Sequence, residues 1–349
     1  MESMGITQFY KNKKVLVTGH TGFKGSWLVL LLDALGAKVA GLSLDDAHED
    51  GMYCKELVSQ KCDDYFVDIC DYNALKASIE EFKPDYVFHL AAESLVIRAQ
   101  SGYLNTFNTN LIGTLNVVKI CDDIGVSGLL ISTTDKVYQN NDSGKIFSED
   151  EPLGGDDVYS VSKSCIEFAL NALRLQNSFS IQIATARAGN VIGGGDWAQD
   201  RLVPDLFRAH MSGQALILRN ADSTRPWQHV LDPLFGYLIY MQQIVTKKKY
   251  EVSINFGPDK NSRKTVQEVV QAFALDCVCE IKGDISVKEK KSLFLSNRLA
   301  SQELNWKPKL QFSEAIEWTK DWYQTFGNER ISIASAQIEK FMRINKCNV

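Results

Sequence analysis

Tyr159 and Lys163 stand four residues apart in the run Tyr-Ser-Val-Ser-Lys. That spacing puts a phenol and an ammonium on one face of a helix, a single turn from each other. The ammonium favours the phenolate, so the phenol can take the proton of an alcohol while hydride leaves the same carbon. Alone, such a pair is common on helix surfaces. A second group upstream gives it weight: Thr134-Asp135-Lys136 follows the apolar run Leu129–Thr133, which reads as a strand. In a parallel sheet the carboxyl end of a strand faces the ligand crevice. A carboxyl beside an amine there suits elimination of water, one group removing a carbon-bound proton and the other protonating the departing hydroxyl. Taken without the Tyr/Lys pair, the same three residues would read as a polar strand end.

Hydride needs an acceptor, and residues 15–25, VLVTGHTGFKG, offer it a berth. Gly19, Gly22 and Gly25 separate a β-branched strand from the helical run SWLVLLLDALGA. Glycine at these places allows a tight turn, close approach of a pyrophosphate, and packing of helix on strand. The helix N-terminus adds unpaired N–H groups and the positive end of its dipole. An acid for the adenosine ribose is expected at the end of the second strand, but the chain has Ser43 there, with Asp45 two positions on. NAD is the expected cofactor, and the departure leaves NADP open, with Lys24 as partner for a 2′-phosphate or else a solvated surface lysine. Asp68 and Ile69, after the third strand, either hold the adenine edge or, since an acid ending a strand often only turns the chain, serve as turn residues. Leu90, Ala91 and Ala92 end the fourth strand with mostly small side chains, where the backbone must come close to the cofactor or merely pack.

These groups require a scaffold that brings strand ends together. The first half of the chain alternates short apolar runs with helical stretches, the pattern of parallel βαβ units and a Rossmann-like, doubly wound α/β sheet. The expected strands are Lys14–Thr18, Lys38–Leu42, Tyr65–Asp68, Tyr86–Leu90, Leu129–Thr133 and Ile181–Thr185. Residues 1–187 are read as the dinucleotide-binding domain. From 188 to 349, glycine-rich and polar stretches such as GNVIGGGDW predict a smaller mixed α/β substrate-binding portion, sharing some elements with the first.

Net charge is −5 and the 38 basic residues are scattered, so nothing resembles a phosphate-tracking nucleic-acid surface. The eight cysteines form no CxxC pair and no zinc-ligand spacing, which predicts reduced thiols and no metal. The apolar stretch Trp27–Leu35 is too short to span a bilayer and the first residues lack a signal-peptide run, so a cytoplasmic protein without membrane contact is expected.

At these residues the chain resembles the extended short-chain dehydrogenase/reductases, and within them the CDP-glucose 4,6-dehydratases. The likeness runs through VLVTGHTGFKGSWL, HLAAES, NLIGTLN, STTDKVY, EPLGGDDVYSVSK, ARAGNVIGGGDWAQDRLVPD, RPWQHVLDPL and NFGP. The resemblance implies a nucleotide-diphosphate hexose as substrate. Tyr159 would deprotonate the C4 hydroxyl, Lys163 hold the cofactor ribose, Lys136 act as base at C5, Asp135 protonate the C6 hydroxyl, and Thr134 orient the sugar. It further implies cofactor contacts from Gly19, Thr21, Gly22, Phe23, Lys24, Gly25 and Asn110, and substrate contacts from Asn190, Arg201 and Arg225, with Trp197 and Trp227 as walls. A homodimer or homotetramer also follows from it.

Two departures bear on the substrate. Where many such dehydratases are similar to Ala-Gln-Pro, this chain has Ala92-Glu93-Ser94, so Glu93 and Ser94 join the expected sugar pocket. The stretch between Tyr138 and Glu151 also looks short and lacks aromatic residues. An epimerase or dehydrogenase of the same fold would need Tyr159 and Lys163 without the Asp135/Lys136 couple. A non-catalytic dinucleotide-binding regulator would need neither pair.

Overall fold

Val15, Leu16 and Val17 are each fully buried, and they alternate between two separate cores. Such a strand must be covered on both faces, which is the condition of a central parallel strand. The computed structural model describes residues 5–45, 47–48, 51–53, 58–247, 250–281, 290–327 and 329–347. Its main sheet has seven strands: β1 (Lys14–Thr18), β2 (Lys38–Ser43), β3 (Asp63–Phe66), β4 (Tyr86–His89), β5 (Gly128–Ser132), β6 (Ile183–Ala188) and β7 (Ser253–Phe256). All pairings are parallel and the order is β3-β2-β1-β4-β5-β6-β7. The order reverses between β1 and β4, and the crevice at such a switch point is where doubly wound sheets bind ligands.

The expected doubly wound sheet is therefore present, with two shifts and one addition. The third strand runs 63–66 rather than 65–68, because its register is set by pairing to β2, Ala40 opposite Asp63, while the Asp68 carboxylate turns the chain by accepting from the Cys70 N–H at 2.8 Å. The sixth strand begins at Ile183 and runs to Ala188. The seventh, beside β6, comes from residues 253–256, four residues too few for a pattern to stand out.

Four helices position the site. α1 (Phe23–Ala34) is buried from Gly25 to Leu32, wedged between the sheet and the C-terminal helix Glu329–Ile344, which buries Ala334, Ile338, Phe341 and Met342. α2 (Tyr72–Phe82) is capped by Asp71, which accepts from the Ala74 N–H. α3 (Thr114–Ile124) follows a π-helical turn over Asn108–Gly113. α4 (Val158–Leu175) starts at Asp157, whose carboxylate accepts from the Ser160 N–H at 2.9 Å. Beyond β6 the chain adds short ladders, among them Val191–Ile192 with Gln228–His229 and Thr224–Pro226 with Arg263–Thr265. Seven cysteines are free thiols, and Cys54 lies outside the described residues. Among the described residues no helix is long and apolar enough to cross a membrane.

Candidate active site

The carboxyl ends of β1, β2, β4, β5 and β6 open on one cavity of about 1010 Å³. On its β1 side, Gly19 takes φ +72°, and a Cβ there would lie 2.7 Å from the Ala91 backbone nitrogen. A Cβ on Gly25 would collide with the Gly19 carbonyl. Only glycines permit this packing. Gly22 is the N-cap of α1 and no side chain caps the helix, so its first N–H groups are left for a phosphate. Thr21, Phe23, Lys24, Ser43, Asp68, Ile69, Leu90, Ala91 and Ala92 all line the same cavity. The donor-rich turn and glycine cradle fit a dinucleotide.

Asn110 does not line the cavity. Its amide donates to the Glu93 carbonyl at 3.0 Å and to Ser162 Oγ at 2.9 Å, while its Oδ1 accepts from the Glu93 N–H at 2.8 Å. It therefore fastens the loop after β4 to α4. Lys24 turns out to have Arg201, Asp135 and Lys136 as its charged neighbours; burial first, then the two cations, push its ammonium down to about 8. It belongs to the charged group around Asp135.

Tyr159, Lys163, Thr134, Asp135 and Lys136 meet in this cavity. Thr134 is the N-cap of a single 3-10 turn over Asp135–Val137, and this turn swings Asp135 inward from the end of β5. Asp135 is 1% exposed; its Oδ1 accepts from the Thr134 hydroxyl at 3.1 Å and lies 3.7 Å from Lys136 Nζ. Its Oδ2 is buried without a hydrogen-bond partner among the described residues. An unsatisfied carboxylate oxygen in such a place is costly unless a ligand hydroxyl meets it.

The phenol of Tyr159 is pushed up to about 12, by burial above all, with the Thr134 hydroxyl and Arg201 pulling the other way and Asp135 adding to the rise. The expected lowering by Lys163 is not the dominant effect. Lys163 instead donates to the Ser132 carbonyl at 3.1 Å, and burial together with the nearby Lys24 pushes its ammonium down to about 8.

Across the cavity, Arg201 donates to Asp196 Oδ2 at 3.0 Å and to Ser94 Oγ at 3.1 Å, tying the β4 loop to the second half of the chain. Glu93 lines the cavity, but its carboxylate already accepts from the Leu95 N–H at 3.0 Å and pairs with Arg98 at 3.1 Å. Asn190, Arg225, Trp197 and Trp227 line the wall. Asn190 Oδ1 and Trp197 Nε1 are buried without partners among the described residues, whereas Trp227 donates to the Lys264 carbonyl and Arg225 to the Thr224 carbonyl, each at 3.0 Å.

Sequence reasoning missed two features. His48, in the stretch between β2 and β3, lines the cavity with its ring stacked on Trp197, centroids 5.9 Å apart. Arg219 and Asn220 also reach the wall. No spacing rule connects these residues to the rest, because tertiary folding alone brings them together.

A doubly wound sheet whose switch-point cavity holds a glycine-rich turn on one side and a Tyr/Lys helix on the other defines the class of short-chain dehydrogenase/reductase folds. The chain belongs to the NAD dependent epimerase/dehydratase family, whose sequence model matches residues 15–257. It is 37% identical to a CDP-glucose 4,6-dehydratase of Salmonella typhimurium, covering 96% of this chain and 97% of that one. A dTDP-glucose 4,6-dehydratase of Haemophilus influenzae is 25% identical, over 88% of this chain and 97% of its own. Among solved structures, the fold is shared with a UDP-glucose 4-epimerase of Thermus thermophilus in complex with NAD (TM-score 0.78, 24% identity, 90% of this chain and 100% of that one). It is also shared with a dTDP-glucose 4,6-dehydratase of Bacillus anthracis in complex with NAD (TM-score 0.76, 21% identity, 89% and 96%).

Proposed function

We propose that this protein is an NAD-dependent nucleotide-sugar 4,6-dehydratase, a hydro-lyase acting on CDP-glucose or a close relative. The observation that carries the reading is convergence: Tyr159 and Lys163 from α4 and the Thr134-Asp135-Lys136 turn after β5 line one cavity with the glycine-rich turn. NAD, when bound, supplies the hydride acceptor and donor. Tyr159, once its phenol has given up its own proton, takes the proton of the C4 hydroxyl, with the Thr134 hydroxyl beside it favouring the phenolate. Lys163 holds the cofactor ribose. A 4-keto group then acidifies the C5 proton, which Lys136 removes after shedding its own. Asp135, through the Oδ2 that has no partner among the described residues, protonates the departing C6 hydroxyl. Return of the hydride to C6 and of a proton to C5 would then give a 4-keto-6-deoxy sugar, a precursor class for surface polysaccharides.

Arg201 and Arg225 suit the diphosphate, because a guanidinium fork matches two phosphate oxygens. Asn190, Trp197 and Trp227 complete the nucleotide wall, with Ser94 and the carbon chain of Glu93 bordering the sugar. Exposed Tyr103, Leu104 and Ile112, together with Phe168 and Leu175 of α4, support pairing of two copies in a cytoplasmic homodimer or a tetramer built from it. An epimerase of the same fold is the second reading, and the retained Asp135/Lys136 couple argues against it. The deciding experiment incubates the purified protein with CDP-, dTDP-, UDP- and GDP-hexoses and follows 4-keto product absorbance. Turnover of a CDP-hexose with water loss supports the proposal; a C4 epimer without loss of water overturns it.

A further inference from the structure

His20, Cys62 and Asp64 bring a ring nitrogen, a thiol and a carboxylate within 4.8 Å of one another beside the end of β2. The trio has the donor types of a metal site, yet its atoms are already spent on each other. Asp64 accepts from four donors: Ser59 Oγ at 2.7 Å, Tyr53 OH at 2.8 Å, His20 Nε2 at 2.9 Å and Cys62 Sγ at 3.3 Å. Burial raises the carboxyl, but the bonds from Ser59, Tyr53 and Cys62 outweigh it and hold Asp64 below its usual range, hence ionised. The ring of His20 is completely buried, edge-on to Tyr53, and a Cβ on Gly41 would collide with it, so it cannot turn freely.

The direction of the protons follows. Burial lowers the His20 pKa despite Asp64 and the Leu42 carbonyl, the two acceptors beside the ring, so at neutral pH the ring carries one N–H. An ionised carboxylate can only accept, which puts that proton on Nε2 and leaves a lone pair on Nδ1. Nδ1 lies 3.2 Å from Ser43 Oγ, and the Ser43 hydroxyl has one proton to give, to Nδ1 or to the Leu44 carbonyl, also at 3.2 Å. Thr21 Oγ1, 2.9 Å off, is a third possible taker; with the proton held on the Nδ1 side, Ser43 Oγ faces Thr21 and the cavity as an acceptor. Ser43 stands where an acid would ordinarily take the adenosine ribose 2′-hydroxyl.

We infer that Asp64 and His20 are positioning residues that hold Ser43 as a hydrogen-bond acceptor for the ribose 2′-hydroxyl, so that the missing acid of β2 is replaced by one on β3 acting through an imidazole. The same fixed charge disfavours a 2′-phosphate. The inference rests on the NAD-dependent reading above.

The test titrates full-length protein, freed of bound dinucleotide, with NAD+, 2′-deoxy-NAD+ and NADP+ by calorimetry. Wild type should prefer NAD+ to 2′-deoxy-NAD+ by roughly 5–10-fold, one hydrogen bond's worth, and to NADP+ by more. Ser43→Ala should bind NAD+ and 2′-deoxy-NAD+ alike. Asp64→Asn should reduce the preference, and the double variant should be no worse than Ser43→Ala, since both act on one bond. Independently of any variant's folding, NMR of ¹⁵N-histidine-labelled wild type should show His20 as the Nε2–H tautomer. A ring protonated on Nδ1, toward Leu42, or a preference for NAD+ unchanged by Ser43→Ala, would overturn the inference while leaving the dehydratase intact. Wild type that takes up no dinucleotide would overturn the dehydratase reading itself.

Discussion

Arg187 on β6 grips Glu167 on α4 with two parallel bonds, Nε to Oε1 at 2.9 Å and Nη2 to Oε2 at 3.1 Å, both side chains almost fully buried. Glu167 lies one helical turn beyond Lys163 and also accepts from Thr133 and Thr185, each at 2.9 Å. The helix bearing the phenol and the ammonium is thus bolted to β6 and to the end of β5 from below.

Removing one partner of such a pair strands the other charge in a dry place. Glu167→Ala should therefore lower unfolding free energy by about 3–5 kcal/mol, read as a shift in urea midpoint at unchanged slope. Glu167→Gln, which keeps an acceptor for Arg187 and for one threonine, should fall between Ala and wild type. Equal midpoints for Ala and wild type would mean that the pair contributes nothing.

Lys163 carries a stability penalty with a definite pH window. Its folded pKa is pushed down to about 8 from 10.5, so the cost of burying the ammonium is full below about pH 8, fades between 8 and 10.5, and is absent above. Lys163→Met should stabilise the fold at pH 7 by up to about 3 kcal/mol, less about 1 kcal/mol for the lost bond to the Ser132 carbonyl. Thermal melts from pH 6 to 10 should show the variant's advantage shrinking above pH 8, while its activity is lost throughout. An advantage that grew with pH would refute the assignment.

Tyr159→Phe removes the hydroxyl proposed to take the C4 proton and leaves the ring's packing in place. Turnover should drop by about 10²–10⁴-fold with no change in melting temperature. Rapid mixing with substrate should show no reduced nicotinamide. Because burial holds the phenol at about 12, wild-type turnover should rise with pH across the neutral range if proton removal from Tyr159 limits the rate.

What could be read from the residues alone is what depends on neighbours in sequence. The glycines at 19, 22 and 25, the Tyr159/Lys163 turn and the apolar runs of β1, β4 and β5 each announce themselves within a dozen residues. Long-range pairing hid the rest. Asp64 reaches His20 across 44 positions because β3 pairs with β2, and its acidic strand carries no apolar alternation to mark it. The resemblance names Asn110 for the cofactor; only the fold reveals that its amide bonds to Glu93 and Ser162. Glu93 likewise looked like a new carboxylate for the sugar pocket, yet Arg98 and the Leu95 N–H occupy it.

Asp135 offers the sharpest separation of the chemical steps. Its Oδ1 is engaged by Thr134 and its Oδ2 faces no donor among the described residues, so Asn at this position preserves the shape and the Thr134 contact but cannot deliver a proton. Oxidation at C4 relies on Tyr159 and should proceed at a rate within a few-fold of wild type. Loss of the C6 hydroxyl should slow by about 10²–10⁴-fold, the usual worth of a positioned general acid. Asp135→Asn mixed with substrate should therefore accumulate reduced nicotinamide and 4-keto hexose that still carries its oxygen at C6. Solvent deuterium should also appear at C5 faster than product forms, since the base at Lys136 remains. If hydride transfer and water loss slowed together, Asp135 would be acting on the phenol of Tyr159 and not on the leaving group.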